Sequence, residues 1–272
     1  MPTVQLSEMK MSYAERGTGE ETILFVHGFV AGDKWWLPAM ERLPERFHSY
    51  AINLRASGRE EPAAGGHTIA RYAGDLHEFV EEVGLHKFDL VAHSLGGGVA
   101  MQYALDHQDR LKSLVLVDPL APYGTRLDRA TTDWVNAQHG NREGIEAVAL
   151  GGCVVQPVGE YREQLVEDAM GWTREGYLGM MDDMARFNVS ERLPELKVPA
   201  IVTWGDKDMV IPFAAIVDVF TKIPGCGLQV WHGVGHNTPI EIPDQFVELL
   251  TLFIEEARQV EAAQAGTPSP TA

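Results

Sequence analysis

The stretch 91–98 (V-A-H-S-L-G-G-G) holds a serine, Ser94, in a setting that suits a nucleophile. It follows an apolar run, 88–91, and precedes a helical pattern, 99–107. A sharp strand-to-helix turn lifts a serine hydroxyl above a sheet, and the small neighbouring residues allow the backbone to bend that tightly. The N–H of Leu95, at the start of the helix, would face a negative charge forming beside the serine. A plain strand-to-helix turn would fit the same residues, so the rest of the chain has to decide.

A second loop of interest follows the apolar run 23–26 and reads His27-Gly28-Phe29-Val30. Gly28 permits a backbone path on which the N–H of Phe29 points toward the top of the sheet, where it would act with Leu95 as a second oxyanion donor. Val30, in the same loop, is predicted to contact substrate. A simple glycine turn is the alternative interpretation of this loop.

The elements that must position these loops alternate along the chain. Continuous apolar runs of the kind found in doubly buried strands are separated by helical patterns, which predicts an α/β fold with right-handed crossovers and a mostly parallel sheet. Active sites on such sheets lie at the carboxyl ends of the strands. The predicted strands are two edge strands within 4–16, followed by 23–26, 50–54, 88–91, 114–118, 200–204 and 227–231.

The alternation stops between residues 123 and 196, where the pattern is helical and no strand is evident. An insertion of this size after a strand end is well placed to form a lid over the site. We predict a core of residues 1–122 and 197–262, a helical lid of 123–196 inserted after the sixth strand, and a disordered tail of 263–272. Four lid residues are predicted to contact substrate, although core packing is the alternative for such side chains: Trp134, Trp172, Met180 and Met184.

Composition narrows the class of protein. The 272 residues carry a formal net charge of −17, which argues against nucleic acid and membrane surfaces as partners. Two cysteines, Cys153 and Cys226, are too few for a disulfide framework. No signal peptide is visible at the N-terminus, so we expect a cytoplasmic protein, although removal of a leader would leave the same sequence. Homo-oligomerisation stays open.

Four motifs occur in one order along the chain: H-G-F-V at 27–30, A-H-S-L-G-G at 92–97, G-D-K-D-M-V-I-P at 205–212 and G-V-G-H at 233–236. On these motifs the chain, from Thr3 to Ala262, resembles the α/β-hydrolase fold family, and within it the small bacterial serine esterases, lactonases and haloperoxidase-like enzymes. The resemblance implies eight strands, with the nucleophile after the fifth strand, the acid after the seventh and the histidine after the eighth.

The resemblance assigns a role to three side chains. Ser94 needs a base because an alcohol is a weak nucleophile, and His236 would take its proton and return it to the leaving group. Asp208 would orient the imidazole and stabilise its cation. Asp206 and Asp118 are rival acids, the first because it lies close by and the second because it follows another strand. His93, beside Ser94 in sequence, is expected to pack against the turn rather than to take part in chemistry.

These residues predict a serine hydrolase that cleaves a carboxylic ester or lactone through an acyl-enzyme on Ser94, with no metal and no organic cofactor. Relatives with an aspartate nucleophile, the haloalkane dehalogenases and epoxide hydrolases, fit less well. Carbon–carbon bond cleavage or a perhydrolase activity on the same triad, and a receptor-like ligand-binding member of the fold, stay open. The chain has Asn53 to Glu60 (N-L-R-A-S-G-R-E) where relatives often have D-x-R-G-x-G-x-S, a difference that we expect to alter the rim of the site.

Overall fold

One eight-stranded sheet forms the centre of the protein, in a computed structural model that describes residues 1–57, 65–125 and 127–265. The strand order is β1-β2-β4-β3-β5-β6-β7-β8. β1, β2 and β4 pair antiparallel, and all pairs from β4 onward are parallel. The predicted mostly parallel sheet is therefore confirmed. The strands are β1 (Thr3–Gln5), β2 (Lys10–Arg16), β3 (Glu21–Val26), β4 (Phe47–Ile52), β5 (Phe88–His93), β6 (Leu111–Val117), β7 (Ala200–Gly205) and β8 (Gly227–Trp231).

Ten α-helices are present among the described residues. Helix α2 shows why a helix forms where it does: the side chain of Thr68 accepts from the N–H of Arg71, and Gly84 ends the helix at φ 76°. The helices are α1 (Leu37–Met40), α2 (Ile69–Val83), α3 (Leu95–His107), α4 (Arg129–Ala137), α5 (Arg142–Leu150), α6 (Gly159–Met170), α7 (Arg174–Met184), α8 (Phe213–Lys222), α9 (Thr238–Glu241) and α10 (Pro243–Ala265).

Helices α4 to α7 lie between β6 and β7, in the segment where the sequence predicts helices and no strand. Three of them begin with a side-chain cap, from Asp128, Asn141 and Thr173. Helix α6 and the residues after it also hold this segment against the chain that follows β3. The Lys34 ammonium pairs with the buried Asp168 carboxylate at 3.0 Å, and the indole N–H of Trp172 donates to the carbonyl of Ala31 at 2.8 Å. The segment is thus tied to the core by polar contacts as well as by packing.

The predicted start of the C-terminal tail is wrong. The last helix continues to Ala265, so residues 263–265 are helical rather than disordered, and residues 266–272 lie outside the described part of the chain. Ahead of α1, the chain after β3 forms a 3₁₀ turn, Asp33–Trp36. In the described ranges no helix combines the length and the apolar character needed to cross a membrane.

Strained backbone marks the carboxyl edge of the sheet. Three described non-glycine residues have positive φ: Val30 (48°) after β3, Ser94 (53°) after β5 and Asp118 (44°) after β6. Such conformations cost free energy and persist where the surroundings fix them. The three strained turns follow adjacent strands, so the edge predicted to carry the site is also where the backbone is most constrained.

Candidate active site

Ser94 occupies the sharp turn between β5 and α3, with φ 53° and ψ −119°. Its carbonyl oxygen accepts from the N–H groups of Gly97 and Leu120, each at 2.8 Å, and its own N–H donates to the carbonyl of Val117 at 3.0 Å. Gly96 is required at its position because a Cβ there would fall 2.6 Å from the carbonyl oxygen of Val26. The sequence therefore folds locally into the strand, turn and helix that were expected around this serine.

A chain of hydrogen bonds joins the three side chains that the resemblance singles out. Nε2 of His236 lies 2.9 Å from Oγ of Ser94, and Nδ1 of His236 lies 2.8 Å from Oδ2 of Asp208. The second carboxylate oxygen of Asp208 accepts from the N–H groups of Val210 and Ile211, at 2.6 and 2.9 Å. Because a carboxylate oxygen only accepts hydrogen bonds, Nδ1 of His236 carries the proton and Nε2 is left to accept one from Ser94.

The electrostatic setting of His236 favours its cation. Burial by itself lowers the pKa of His236, but the nearby carboxylates of Asp208 and Glu241, together with Asp118 where it is ionised, outweigh it, so the pKa lies above the ordinary value of 6.5. A base with this surrounding is stabilised after it has taken a proton, which is the state a serine nucleophile requires of its partner.

Asp118, one of the two rival acids, is fully buried behind this chain of bonds. One of its oxygens accepts from the N–H of Gly205 at 2.9 Å, and the other accepts from the hydroxyl of Thr238 at 2.8 Å. Burial raises the pKa of Asp118 to about 8, so at neutral pH its carboxyl is mostly protonated. Asp118 connects the end of β7 to the start of α9, close to His236 on the chain.

His93 lies directly beneath the serine and is 2% exposed. Its Nε2 is 2.8 Å from the carbonyl oxygen of His236, and its ring stacks on that of Trp35. Burial, together with the charge that His236 can carry, lowers the pKa of His93 well below 6.5, so the ring is neutral and donates its Nε2 proton. His93 therefore packs against the turn and also holds the main chain of His236.

The loop H-G-F-V runs beside the serine. A Cβ on Gly28 would lie 3.0 Å from the Cβ of Ser94, so any larger residue would press on the serine. The imidazole of His27 accepts from the N–H of Leu54 at 3.0 Å and fixes the start of the loop. Leu95 is the first residue of α3, and the N–H groups of a first helical turn have no acceptor within the helix.

A cavity of about 370 Å³ opens over Ser94 and His236, between the sheet edge and the helices α4, α5 and α7. Of the predicted substrate contacts, Val30, Trp134 and Met184 line it. Trp172 and Met180 do not: Trp172 is buried against the loop after β3, and Met180 is completely buried. The prediction that these two side chains contact substrate is therefore wrong for this cavity.

Several residues besides the predicted substrate contacts also line the cavity. Met181 lines the cavity and its neighbour Met180 does not. Helix α7 packs so that Met180 points into the core, whereas Met181 and Met184 face the cavity. Only the direction in which α7 packs distinguishes adjacent methionines, and the local pattern carries no such signal. The further lining includes Leu120, Val135, Val148, Ala149, Gly152, Met209 and Ile211.

The loop after β4, where the chain departs from its relatives, is buried as far as the structure describes it. Asn53 accepts from the N–H of Asp33 at 2.9 Å, and Arg55 forms two hydrogen bonds of 2.8 Å with Asp75. Residues 58–60, on which the predicted change of the rim depends, lie outside the described residues. Within the described ranges, no group of three or more His, Cys, Asp or Glu side chains could hold a metal ion.

Comparisons with known proteins agree with this architecture. A family model described as the alpha/beta hydrolase fold matches residues 21–147, which span β3 to α5. An esterase from Exiguobacterium antarcticum superposes with a TM-score of 0.85 at 20% identity, over 93% of this chain and 98% of the esterase. With its eight-stranded sheet and the turn at Ser94, the chain has the α/β-hydrolase fold that this family model describes.

Two curated relatives are similar in sequence. The monoacylglycerol lipase abhd6-A of Xenopus laevis is 25% identical over 93% of this chain and 81% of the lipase. The dihydrolipoyllysine-residue acetyltransferase component of the acetoin cleaving system of Cupriavidus necator is 28% identical over 89% of this chain. The match spans 66% of that second protein, just under two thirds of its length.

Proposed function

We propose that the protein is a serine hydrolase that cleaves carboxylic esters or lactones through an acyl-enzyme on Ser94. The observation that carries the proposal is the pair of hydrogen bonds of His236, 2.9 Å to Oγ of Ser94 and 2.8 Å to Oδ2 of Asp208. Such a relay turns a weakly nucleophilic hydroxyl into an attacking group, and a packing arrangement has no need of it.

In the acylation step, Nε2 of His236 takes the hydroxyl proton while Oγ of Ser94 attacks the ester carbonyl carbon. The tetrahedral oxyanion that forms accepts from the N–H groups of Phe29 and Leu95, which we assign as the oxyanion hole. The imidazolium, stabilised by Asp208, then gives its proton to the leaving alkoxide as the carbon–oxygen bond breaks. An alcohol leaves, or in a lactone the ring opens and the hydroxyl end stays attached.

In the deacylation step, water enters the site and His236 removes one of its protons as the oxygen attacks the acyl carbonyl. The same two main-chain donors hold the second oxyanion. Collapse of that intermediate breaks the bond to Oγ of Ser94, which takes back the proton from His236, and the carboxylic acid is released. Each proton that His236 accepts is returned within the step, so the cycle needs no external base.

The substrate class follows from the cavity wall, which is predominantly apolar and includes three methionines, Met181, Met184 and Met209. Flexible thioether side chains adapt to irregular apolar groups, so we infer an apolar acyl group of medium size. Similarity to a monoacylglycerol lipase supports an ester of this kind. The helices between β6 and β7, within the predicted lid 123–196, would cover the acyl group and exclude bulk water.

The test is turnover of p-nitrophenyl esters of increasing chain length and of simple lactones by the wild type and by Ser94→Ala, with mass spectrometry after a fluorophosphonate probe. We expect hydrolysis that falls by several orders of magnitude in the variant, and a probe adduct on Ser94. No turnover and no adduct would refute the proposal. An adduct without turnover would leave an active nucleophile and direct attention to carbon–carbon cleavage.

A further inference from the structure

Glu241, the last residue of α9, is 7% exposed and gathers four main-chain N–H groups on its carboxylate. Gly235 and Asn237 donate to it from either side of His236, at 3.2 and 3.1 Å. Val154 and Val155 donate to it from the segment that follows α5, at 2.8 and 3.0 Å. One carboxylate therefore joins the loop of His236 to the helical insertion.

The two segments held by Glu241 also touch each other directly. The N–H of His236 donates to the carbonyl of Gly152 at 2.8 Å, and the side-chain amide of Asn237 lies 2.9 Å from Sγ of Cys153. Glycine is needed on both sides: a Cβ on Gly235 would fall 2.1 Å from the carbonyl oxygen of Gly152, and one on Gly152 would fall 2.8 Å from the Cβ of His236. No side chain separates the loop of His236 from this segment.

The segment that Glu241 holds is part of the cavity wall. Gly152 lines the cavity, as do Ala149 and Gly151 just before it, and His236 and Ser94 line it as well. An acyl group in the cavity therefore rests on a stretch of main chain whose next residues donate to Glu241. Any displacement of the wall reaches the loop of His236 through the same carboxylate.

We propose that Glu241 is a positioning residue for the reaction. It fixes the cavity wall and the loop of His236 relative to each other, so that the imidazole keeps its distance to Ser94. The inference rests on the proposed function. Glu241 touches neither substrate nor the reacting atoms, and it acts through His236. It is a charged acceptor for four N–H groups, and charged acceptors hold such groups in place more firmly than neutral ones.

The charge of Glu241 gives this role a signature that a merely structural residue would lack. Among the described residues, Asp208 and Glu241 favour the cation of His236, Asp118 does so where it is ionised, and His93 opposes it only when itself charged. Loss of the charge on Glu241 therefore lowers the pKa of His236. Since neutral His236 is the active base, the acidic limb of the pH profile moves to lower pH.

The first test is Glu241→Gln, which keeps the shape and leaves one oxygen for the three donors now on Oε2. We expect kcat on the best p-nitrophenyl ester to fall about 10- to 100-fold with KM changed less than about threefold, because a small displacement of a catalytic group costs about that much. The acidic limb of kcat/KM should move to lower pH. Glu241→Asp keeps the charge but has a shorter side chain. We therefore expect kcat to stay low while the acidic limb of kcat/KM returns to its wild-type pH.

The second test acts from the side of the insertion. Val155→Pro removes one N–H donor to Glu241, and Val155→Ala is its matched control, since the side chain is exposed and the N–H stays. We expect a lower kcat in the proline variant alone. A wild type that hydrolyses esters, together with Glu241 and Val155 variants that lose only thermal stability while kcat and the pH limb stay unchanged, would overturn the inference. A wild type with no turnover and no probe adduct would instead overturn the proposed function.

Discussion

Asp206 and Asp208 stand two residues apart and hold different histidines. Oδ2 of Asp208 lies 2.8 Å from Nδ1 of His236, whereas Oδ2 of Asp206 lies 2.7 Å from Nδ1 of His232, whose side chain is 93% exposed. The turn after β7 directs one carboxylate into the site and the other to the surface. From the sequence motif alone, either aspartate could be the partner of His236. The direction of the turn distinguishes them, because it places only Asp208 beside His236.

This pair makes a matched test of the proposed acid. Asp208→Asn should lower kcat by about 10⁴-fold, because an amide cannot hold the imidazole in the same tautomer or stabilise its cation. Asp206→Asn should leave kcat within about twofold, since the bond it loses is on the surface. Steady-state hydrolysis of a p-nitrophenyl ester measures both. Equal losses in the two variants would contradict the assignment.

The pH dependence of hydrolysis follows from the environment of His236. Its pKa lies above 6.5 because Asp208 and its acidic neighbours outweigh burial. The base must be neutral to act, so kcat/KM should rise with pH and reach half its plateau at a pH above 6.5. A profile over pH 5 to 9 at constant ionic strength measures this midpoint. A midpoint clearly below 6.5 would mean that another group limits the reaction.

Met181 and Met180 are neighbours on α7 with different surroundings. Substituting each in turn should therefore affect acyl-chain selectivity in one case and the stability of the fold in the other. Met181 lines the cavity, so Met181→Ala should raise the ratio of kcat/KM for long acyl esters over acetate, by about 10-fold for a pocket enlarged in this way. Met180 is completely buried in the core, so Met180→Ala should lower the free energy of unfolding by about 2–5 kcal/mol.

Stability and acyl preference have to be measured for both methionine variants. Urea denaturation and the panel of p-nitrophenyl esters are to be run on each protein. An altered acyl preference in Met180→Ala with none in Met181→Ala would show that the cavity in solution has a different wall.

Asp118 should make the protein less stable as pH rises. Its pKa in the fold is about 8 against an ordinary 3.8, so the folded state binds a proton that the unfolded state has lost at neutral pH. The free energy of unfolding contributed by this proton is present below about pH 4 and declines as pH rises toward 8. In Asp118→Asn that decline should disappear, since the amide has no proton to lose and asparagine tolerates the positive φ.

Denaturation midpoints of the wild type and Asp118→Asn at several values from pH 5 to 9 give the comparison. Only the difference between the two proteins is assigned to Asp118, because other groups titrate in both. Parallel curves would indicate that Asp118 is ionised in the folded protein.

Local patterns were enough to predict the elements that carry the site. The apolar run before Ser94 and the small residues after it define β5, the turn and α3, because each depends on neighbours in sequence. The apolar run 200–204 before Asp208 is equally local, and it forms β7. Helix α10 extended further than predicted because alanine and glutamine at 262–265 support a helix as readily as they do a tail.

Contacts between segments that are distant in sequence could not be predicted from the sequence. Nothing near Glu241 indicates that it would meet Val154 and Val155, because that contact depends on how the insertion folds back over the sheet edge. The same is true of His93, whose bond to the carbonyl of His236 spans 143 positions. Residue types and spacing predict which groups are able to react, whereas the packing that holds them depends on tertiary structure.

The polar contacts between the insertion and the chain after β3 also determine by which side of the cavity substrate enters and product leaves. Lifting α6 would break the ion pair of Lys34 with Asp168 and pull on residues adjoining the loop that holds Phe29. On the other side, Leu127 and Trp134 are partly exposed where they border the cavity. Substrate and product should therefore pass beside α4, so an acid can leave while the N–H groups of Phe29 and Leu95, which we propose as oxyanion donors, stay in place for the next turnover.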